Sequence, residues 1–280
     1  MSHPIGMTLN LEISFVPFFY LCSKSQTMIK LSVVIITLNE ERNIARCLDS
    51  VASVADEILV VDSISTDRTK EICQQYGVRF VEHPFEGYIG QKNYATRLAT
   101  HNHILSLDAD EALSDTLKHS ISEAKKHFDA DGFAMNRYTN YCGKWIKHCG
   151  WYPDVKLRLF NRTKGLWGGI NPHDRFIMEK GSTFSHLEGD LLHYSYHTES
   201  DHHRQIDRFT DIAARAYYEA GKKPTFIKQW FSPLAKFMRD YFLNLGFLDG
   251  EAGLKICLLS AKATYLKYSK LKKLWRLEKS

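Results

Sequence analysis

Runs of apolar, often β-branched residues recur through the first half of the chain, separated by stretches with helical spacing. The runs cover residues 31–36, 57–62, 78–82 and 103–108. Helices are predicted over residues 43–54, from Thr66 or Asp67 to Tyr76, around 91–98, and from Ser114 to His127. Continuous apolar runs are typical of strands buried on both faces, so this alternation predicts βαβ units. The expected fold is α/β, with a mostly parallel sheet flanked by helices.

The second half of the chain follows a different pattern. Residues 132–141 and 155–162 predict antiparallel strands, and residues 202–221 predict a polar helix. Apolar and aromatic residues then recur every three or four positions between Phe226 and Leu245. This spacing predicts an amphipathic helix with an aromatic face. A second apolar helix, predicted over residues 253–271, ends in basic residues and completes a C-terminal helical appendage.

Composition bears on domain organisation and compartment. The chain has 280 residues, 44% of them hydrophobic, which is ordinary for a globular protein. Met28 leads directly into the first predicted strand, so we expect residues 1–28 to be an extension outside the core. Residues 29–200 are expected to form the α/β domain and residues 201–280 the helical region. The six cysteines have irregular spacing, which indicates free thiols in a reducing compartment.

The net charge of +5 conceals an uneven distribution. Residues 221–280 contain 13 Lys and Arg but only 4 Asp and Glu, which leaves 24 basic and 28 acidic residues in the rest. A slightly acidic body thus carries a basic tail. Such a tail predicts an anionic partner, either a membrane surface or a nucleic acid.

Three of the predicted strands end in polar residues. Thr37, Asn39 and Glu40 follow the first strand, Asp62 ends the second, and Asp108 ends the fourth. Ligands of open α/β sheets bind beyond the carboxyl ends of the strands, so these groups are expected to share one site. The Asp62 carboxylate can accept hydrogen bonds from a base or ribose. The alternative is that Asp62 and the polar residues that follow it only form a capped turn.

The segment SLDADEAL (106–113) is the strongest candidate for chemistry. Asp108 and Asp110 stand one residue apart just past a buried strand, where they can hold Mg²⁺ or Mn²⁺ together with phosphate oxygens. Such a cation neutralises the charge that develops on a departing diphosphate. The same spacing also occurs in solvated loops and helix caps. The position at a strand end is what favours the metal interpretation.

Four segments in order, TLNEERNI (37–44), VVDSISTDRT (60–69), GQKNYA (90–95) and SLDADE (106–111), resemble family 2 glycosyltransferases of the GT-A fold. The likeness is strong over about residues 29–175. Residues 150–162 and 246–250 further resemble lipopolysaccharide core enzymes of the β-glucosyltransferase type. The resemblance implies a Rossmann-like GT-A domain over residues 29–200, a UDP-sugar donor, and a glycan or glycolipid acceptor.

The resemblance also implies roles for single residues. The positions that it implies for binding the nucleotide sugar are Thr37, Asn39, Glu40, Asp62, Lys92 and Asp108. Ser65, in the turn after Asp62, and Arg158, as a candidate phosphate clamp, are added to them on their chemistry. Asp108 and Asp110 match the metal-binding pair. In relatives a later acidic residue is the catalytic base and a following histidine completes the metal shell, a spacing that Asp154 and His173 meet.

Two aspartates compete for the role of base. Many family members carry Glu-Asp where this chain has Pro153-Asp154, and Asp174 beside His173 is the alternative. Either carboxylate would have to reach the acceptor hydroxyl. Arg158 and Arg175 are candidates for phosphate clamps or for partners of local carboxylates. The later histidines, at positions 193, 197, 202 and 203, fit no standard zinc spacing and are expected to be solvated or on helix faces.

The expected activity is a metal-dependent transfer with inversion, by one displacement with one base. A sugar-phosphate nucleotidyltransferase is disfavoured because the loop after the first strand is acidic. An acidic body without a nucleic-acid motif argues against a nucleic-acid partner.

A polyprenyl-phosphate acceptor is an alternative to lipopolysaccharide core. The C-terminal helices either pack on the domain or lie on an anionic membrane. Because the acceptor that the resemblance implies is a lipid-anchored glycan, we expect a cytoplasmic enzyme that is peripheral on the inner face of the cell membrane.

Overall fold

The computed structural model describes residues 28–170 and 173–277, and only the backbone of Ile170 and His173. Apart from Met28, the predicted N-terminal extension lies outside the described residues. The strands are β1 Leu31–Thr37, β2 Glu57–Asp62, β3 Arg79–Glu82, β4 His103–Asp108, β5 Glu111–Leu113, β6 Gly132–Tyr141, β7 Lys144–Trp145, β8 Asp154–Asn161, β9 Gly165–Ile170, β10 His173–Met178 and β11 Phe184–Tyr196. The α-helices are α1 Ile44–Val51, α2 Thr69–Gln75, α3 Tyr88–Leu98, α4 Asp115–Lys126, α5 Glu199–Glu219, α6 Phe226–Met238 and α7 Gly250–Leu277.

A nine-stranded sheet forms the centre, in the order β3-β2-β1-β4-β8-β6-β11-β5, with β7 paired to β6. Strand β1 pairs in parallel with β2 and β4. The register sets Thr37 opposite Asp62 and Ile36 opposite Asp108, so three strand ends meet at one edge. All of β1 is buried, as expected for a strand covered by helices on both faces.

Beyond β4 the sheet is mixed. Strand β8 pairs antiparallel with both β4 and β6, whereas β11 runs parallel to β6 and antiparallel to β5. The α/β fold with flanking helices is confirmed. The parallel pairing predicted for most of the sheet, however, is continuous only across the four neighbouring strands β3, β2, β1 and β4. The reason is that β6, β7 and β8 follow one another without an intervening α-helix, so the chain reverses direction between neighbours.

Helices cover both faces of the sheet. Val33 and Ile35 pack into a core with α1 and α4, while Val34 and Ile36 on the opposite face pack with α3. Helix α4 begins where the sequence predicts, because the Ser114 hydroxyl accepts the Leu117 N–H at 3.3 Å and so caps the first turn.

The C-terminal region consists of α5, α6 and α7, with α7 packed against the other two. The helix predicted to run to Leu245 ends at Met238 and continues as a π-helical turn, Arg239–Leu243. A 3₁₀ turn, Gly246–Asp249, then leads into α7. A Cβ atom on Gly253 would lie 1.9 Å from the Gly246 carbonyl oxygen, so glycine is required for this close approach. Every helix in the described ranges is too short or too polar to cross a bilayer.

Candidate active site

A cleft with a volume of about 1090 Å³ opens beyond the carboxyl ends of β1, β2 and β4. It collects most of the residues that the sequence singles out from separate segments. Those on its wall are Thr37, Asn39, Glu40, Lys92, Asp108, Asp110, Arg158 and Asp174. The structure therefore brings these predicted residues together at one edge of the sheet.

The loop after β1 is locked to the loop after β2. Asn39 has a φ of 55°, and its side-chain oxygen accepts the Thr66 N–H at 2.7 Å. The Ser65 hydroxyl accepts the Asn39 N–H at 2.8 Å and donates to Asp62. Asp62 is fully buried, and neither it nor Ser65 lies on the cleft wall. The geometry thus gives these two residues a role in shaping the loop, and their direct contact with a ligand stays a prediction.

Two groups at the end of β1 are available to a ligand. The Thr37 hydroxyl oxygen is buried and has no hydrogen-bond partner. Burial, followed by the nearby charge of Asp110, raises the pKa of Glu40 to about 7, and a hydrogen bond from Asn43 opposes this rise. An unpartnered hydroxyl and a carboxyl group that is partly protonated at neutral pH are both able to donate a hydrogen bond.

The Asp108 carboxylate lies between two buried cations. Lys92 Nζ is 3.1 Å from Asp108 Oδ1, and Arg158 donates to Asp108 Oδ2 at 2.9 Å. Burial acts to raise the pKa of Asp108, but Lys92 and Arg158 outweigh it and hold the pKa well below its ordinary value. Lys92 comes from α3 and Arg158 from β8, so the pairing with local carboxylates that the sequence left open for Arg158 is observed.

Asp110 is paired with a histidine from a distant strand. His193 Nε2 lies 3.2 Å from Asp110 Oδ2, and His193 Nδ1 lies 3.2 Å from the Thr139 hydroxyl. Burial acts to raise the pKa of Asp110, whereas the His193 contact dominates and lowers it. The expectation that His193 is solvated or on a helix face is wrong. It lies on β11, opposite Glu111 of β5, and this pairing has no local signal in the sequence.

Glu111 is a site residue that sequence reasoning missed. Its side chain is fully buried, and Oε1 accepts from Arg158 at 2.7 Å and from Arg137 at 3.5 Å. Its other oxygen accepts the Asp108 N–H at 3.0 Å. Glu111 therefore fixes the backbone of the aspartate motif and orients both arginines. Its position inside SLDADEAL was the only signal available.

The two candidate bases have different surroundings. Arg137 donates to Asp154 at 2.7 Å, and Lys156 lies 2.9 Å from it. Burial acts to raise the pKa of Asp154, but Arg137 and then Lys156 lower it. Asp154 lines a smaller cavity of about 280 Å³, which shares Arg137 with the main cleft. Asp174 lies on the main cleft itself, 2.8 Å from Lys92 Nζ.

The remaining predicted residues are spread more widely. The side chain of His173, the expected third metal ligand, lies outside the described residues, whereas Arg175 lines the cleft. His197 contacts Asn43 at 3.0 Å. His202 is buried beside Tyr141, and burial lowers its pKa to about 4.

The residues fit a cation that is shared with a ligand. Among the described side chains, no three of His, Cys, Asp or Glu converge tightly enough to hold a metal ion unaided. Mg²⁺ and Mn²⁺ bind through one or two carboxylates when phosphate oxygens complete the shell. Asp108 Oδ1 is buried and makes no hydrogen bond, and the Lys92 ammonium lies 3.1 Å from it, so a cation bound at this oxygen would compete with Lys92. Asp110 lies on the same cleft wall.

Comparison with known proteins identifies similar sequences. The profile of glycosyl transferase family 2 matches residues 32–183. The lipopolysaccharide core biosynthesis glycosyltransferase LpsC of Rhizobium meliloti (strain 1021) is 30% identical over 257 residues, which cover 85% of this chain and 93% of that protein. An uncharacterized glycosyltransferase of Rickettsia bellii (strain RML369-C) is 29% identical over 263 residues, which cover 88% of this chain and 87% of that protein.

The fold also has a solved counterpart. The mannosyltransferase PcManGT from Pyrobaculum calidifontis, determined in complex with GDP-Man and Mn²⁺, superposes with a TM-score of 0.50 at 16% identity. The match covers 89% of this chain and 88% of that one. At this identity the likeness is one of fold.

Proposed function

Because this chain belongs to glycosyl transferase family 2, we propose that it transfers a hexose, with inversion and with a divalent cation, to a cell-envelope glycan. The donor is a nucleotide-diphosphate sugar, and the acceptor is a glycan such as lipopolysaccharide core. One observation carries the proposal: Thr37, Lys92 and the aspartate motif, which come from distant segments, line a single cleft at the strand ends.

Charge on the cleft wall suits a diphosphate. Lys92 and Arg158 place two buried cations beside the Asp108 carboxylate, and Arg175 lies on the same wall. Cations and hydrogen-bond donors held in place before the reaction stabilise a departing diphosphate, because they need no reorganisation as charge develops. We assign UDP as the nucleotide on the strength of the family resemblance, and Mg²⁺ or Mn²⁺ as the cation.

Asp108 and Asp110 would hold the cation through their carboxylate oxygens. When bound, the cation supplies positive charge that neutralises the diphosphate oxygens. Glu111 keeps the motif in place by accepting the Asp108 N–H. The buried cations Lys92 and Arg158 limit the net negative charge around Asp108.

We assign Asp174 as the catalytic base and place Asp154 second. Asp174 lies on the main cleft, and its 2.8 Å contact with Lys92 orients it beside the aspartate motif. Both aspartates are ion-paired, but Asp154 pairs with two cations, Arg137 and Lys156, and faces the adjoining cavity. In the proposed step the acceptor oxygen attacks the anomeric carbon, its proton passes to Asp174, and the bond from that carbon to the diphosphate oxygen breaks. A single displacement of this kind inverts the anomeric centre.

The acceptor assignment rests on the relative LpsC, whose name places it in lipopolysaccharide core biosynthesis. An acceptor of this kind is anchored in a membrane, so we place the enzyme in the cytoplasm, peripheral on the inner face of the cell membrane. The exposed aromatic residues of α6 support this location. We propose no nucleic-acid partner.

The test is a transfer assay with purified protein, UDP-hexoses, Mn²⁺ and truncated lipopolysaccharide core. We expect UDP release together with a mass increase of one hexose on the acceptor. The Asp108→Ala variant should lose transfer, while Asp115→Asn, a change at an exposed helix position, should retain it. Transfer by Asp108→Ala in the presence of EDTA would show that the metal assignment is wrong.

A further inference from the structure

Helix α6 directs its apolar side away from the protein. Phe226, Ile227, Trp230, Phe231 and Leu234 are between 52% and 70% exposed, and Met238 is 48% exposed. At 100° per residue these six positions span an arc of about 140°, so they form one continuous face. We call these six residues the apolar face.

The side of α6 that packs on the protein is mostly polar, with Phe237 as its apolar contact to the core. Gln229 is its one buried residue within the described chain, and it donates to the Ser269 hydroxyl of α7 at 3.0 Å. Lys236, on the same side of the helix, pairs with the buried Asp240. A helix of a globular protein normally turns its apolar stripe inward. The reversed orientation means that this protein's own core does not account for the apolar face.

Lysines lie beside the apolar face at the start of α6. Residues 222–239 contain no Asp or Glu, and Lys222, Lys223 and Lys228 are exposed. Lys236 and Arg239 instead pair with Asp240. Two copies of such a surface would bring like charges together, which disfavours a second copy of this chain as the partner. Anionic lipid headgroups complement the cations, and the acyl region accepts the aromatic and aliphatic side chains.

We propose that α6 lies in the plane of an anionic lipid bilayer, with the apolar face inserted below the headgroups. The inference deepens the proposed function and rests on it for the membrane-anchored acceptor. A helix of 13 residues is too short to span the hydrocarbon core but can lie along its surface. Bulky exposed aromatic side chains are favoured at the boundary between headgroups and acyl chains.

The membrane-bound helix is linked to the cleft by direct packing. Helix α7 contacts α6 on one side and α5 on the other. Arg204 and Arg208 of α5 line the cleft. Docking through α6 therefore holds the cleft near the bilayer surface, where a lipid-anchored acceptor is concentrated.

Sedimentation of the full chain with vesicles tests the proposal. Wild-type protein should sediment with vesicles of phosphatidylcholine mixed with phosphatidylglycerol, and far less with phosphatidylcholine alone. The variant Ile227→Ser with Phe231→Ser should lower the apparent partition coefficient by roughly tenfold or more. Lys228→Glu should weaken binding in low salt. Phe184→Ser is the matched control, because Phe184 is 67% exposed but lies on β11.

Three results would overturn the proposal: wild-type protein that stays in solution with anionic vesicles, a double variant that binds them as wild type does, or a wild-type dimer that the double variant converts to a monomer. Thermal stabilisation by UDP-sugars, measured without vesicles, separates this inference from the proposed function. Vesicle binding without donor binding would reject the proposed function but support the membrane-binding surface on α6. Donor binding without vesicle binding would support the proposed function but reject the membrane-binding surface.

Discussion

Lys92 Nζ lies 2.8 Å from Asp174 Oδ2, although the two residues are 82 positions apart in the chain. The same ammonium lies 3.1 Å from Asp108 Oδ1, and only 3% of the Lys92 side chain is exposed. One buried cation thus joins the aspartate motif at the end of β4 to the start of β10. In the proposed function, this contact sets the distance between the aspartate motif and the proposed base.

Replacing the proposed base should separate catalysis from donor binding. A positioned general base contributes about 10²- to 10⁴-fold to rate, so Asp174→Asn should lower kcat by that order while the Kd for the donor changes by only a few fold. Asp154→Asn should have a much smaller effect on kcat. Steady-state kinetics and calorimetric donor titration give the two quantities. A larger loss of kcat in Asp154→Asn than in Asp174→Asn would reverse the assignment.

Removing the buried charge of Glu111 should destabilise the fold. Glu111→Gln leaves Arg158 and Arg137 without their shared carboxylate, and breaking a buried ion pair costs about 3–5 kcal/mol. Urea denaturation followed by circular dichroism measures the change in the free energy of unfolding. Glu123→Gln, which removes an exposed ion pair with Lys126, should leave the free energy of unfolding nearly unchanged. Equal losses in the two variants would mean that Glu111 does not organise the site.

Asp56 should make the free energy of unfolding depend on pH in the acidic range. Burial acts to raise the pKa of Asp56, but hydrogen bonds from Lys125, the Leu31 N–H and Lys30 lower it to about 2. The pKa of an Asp in an unfolded chain is about 3.9. The contribution of ionised Asp56 to the free energy of unfolding is therefore fully present above that pH and is lost as pH falls towards 2.

The corresponding variant is Asp56→Asn. It should lower the free energy of unfolding by about 1–2 kcal/mol at pH 7, a value reduced for the 20% exposure of the side chain. The difference from wild type should shrink below pH 4. Thermal melts across pH measure both effects, with the exposed Asp129→Asn as control. A difference that stays constant down to pH 2 would exclude this ion-pair account.

Local patterns account for what the sequence predicts well. The apolar runs of β1, β2 and β4 and the Ser114 cap are recognisable because buried strands and helix starts depend on neighbouring residues. Their shared edge follows from the general rule for parallel sheets. These elements contain Thr37, Asp108 and their neighbours, so half of the site could be placed without coordinates.

The rest depends on contacts between distant segments. His193 reaches Asp110 only because β11 pairs with β5, and Glu111 matters only because two arginines converge on it. Neither contact leaves a periodic signal. The apolar stripe after Phe226 is visible in the sequence, but its outward orientation is seen only in the packing of α6, where Gln229 is buried and donates to Ser269 of α7.

Donor binding with and without Mn²⁺ tests the central claim most directly. Thermal-shift measurements should show that one UDP-sugar stabilises wild-type protein by several degrees with Mn²⁺ and much less with EDTA, because a ligand stabilises the state that binds it. Asp110→Asn should abolish the metal-dependent part and retain the fold. Stabilisation of equal size in wild type with EDTA, or in Asp110→Asn with Mn²⁺, would contradict a metal site formed by Asp108 and Asp110.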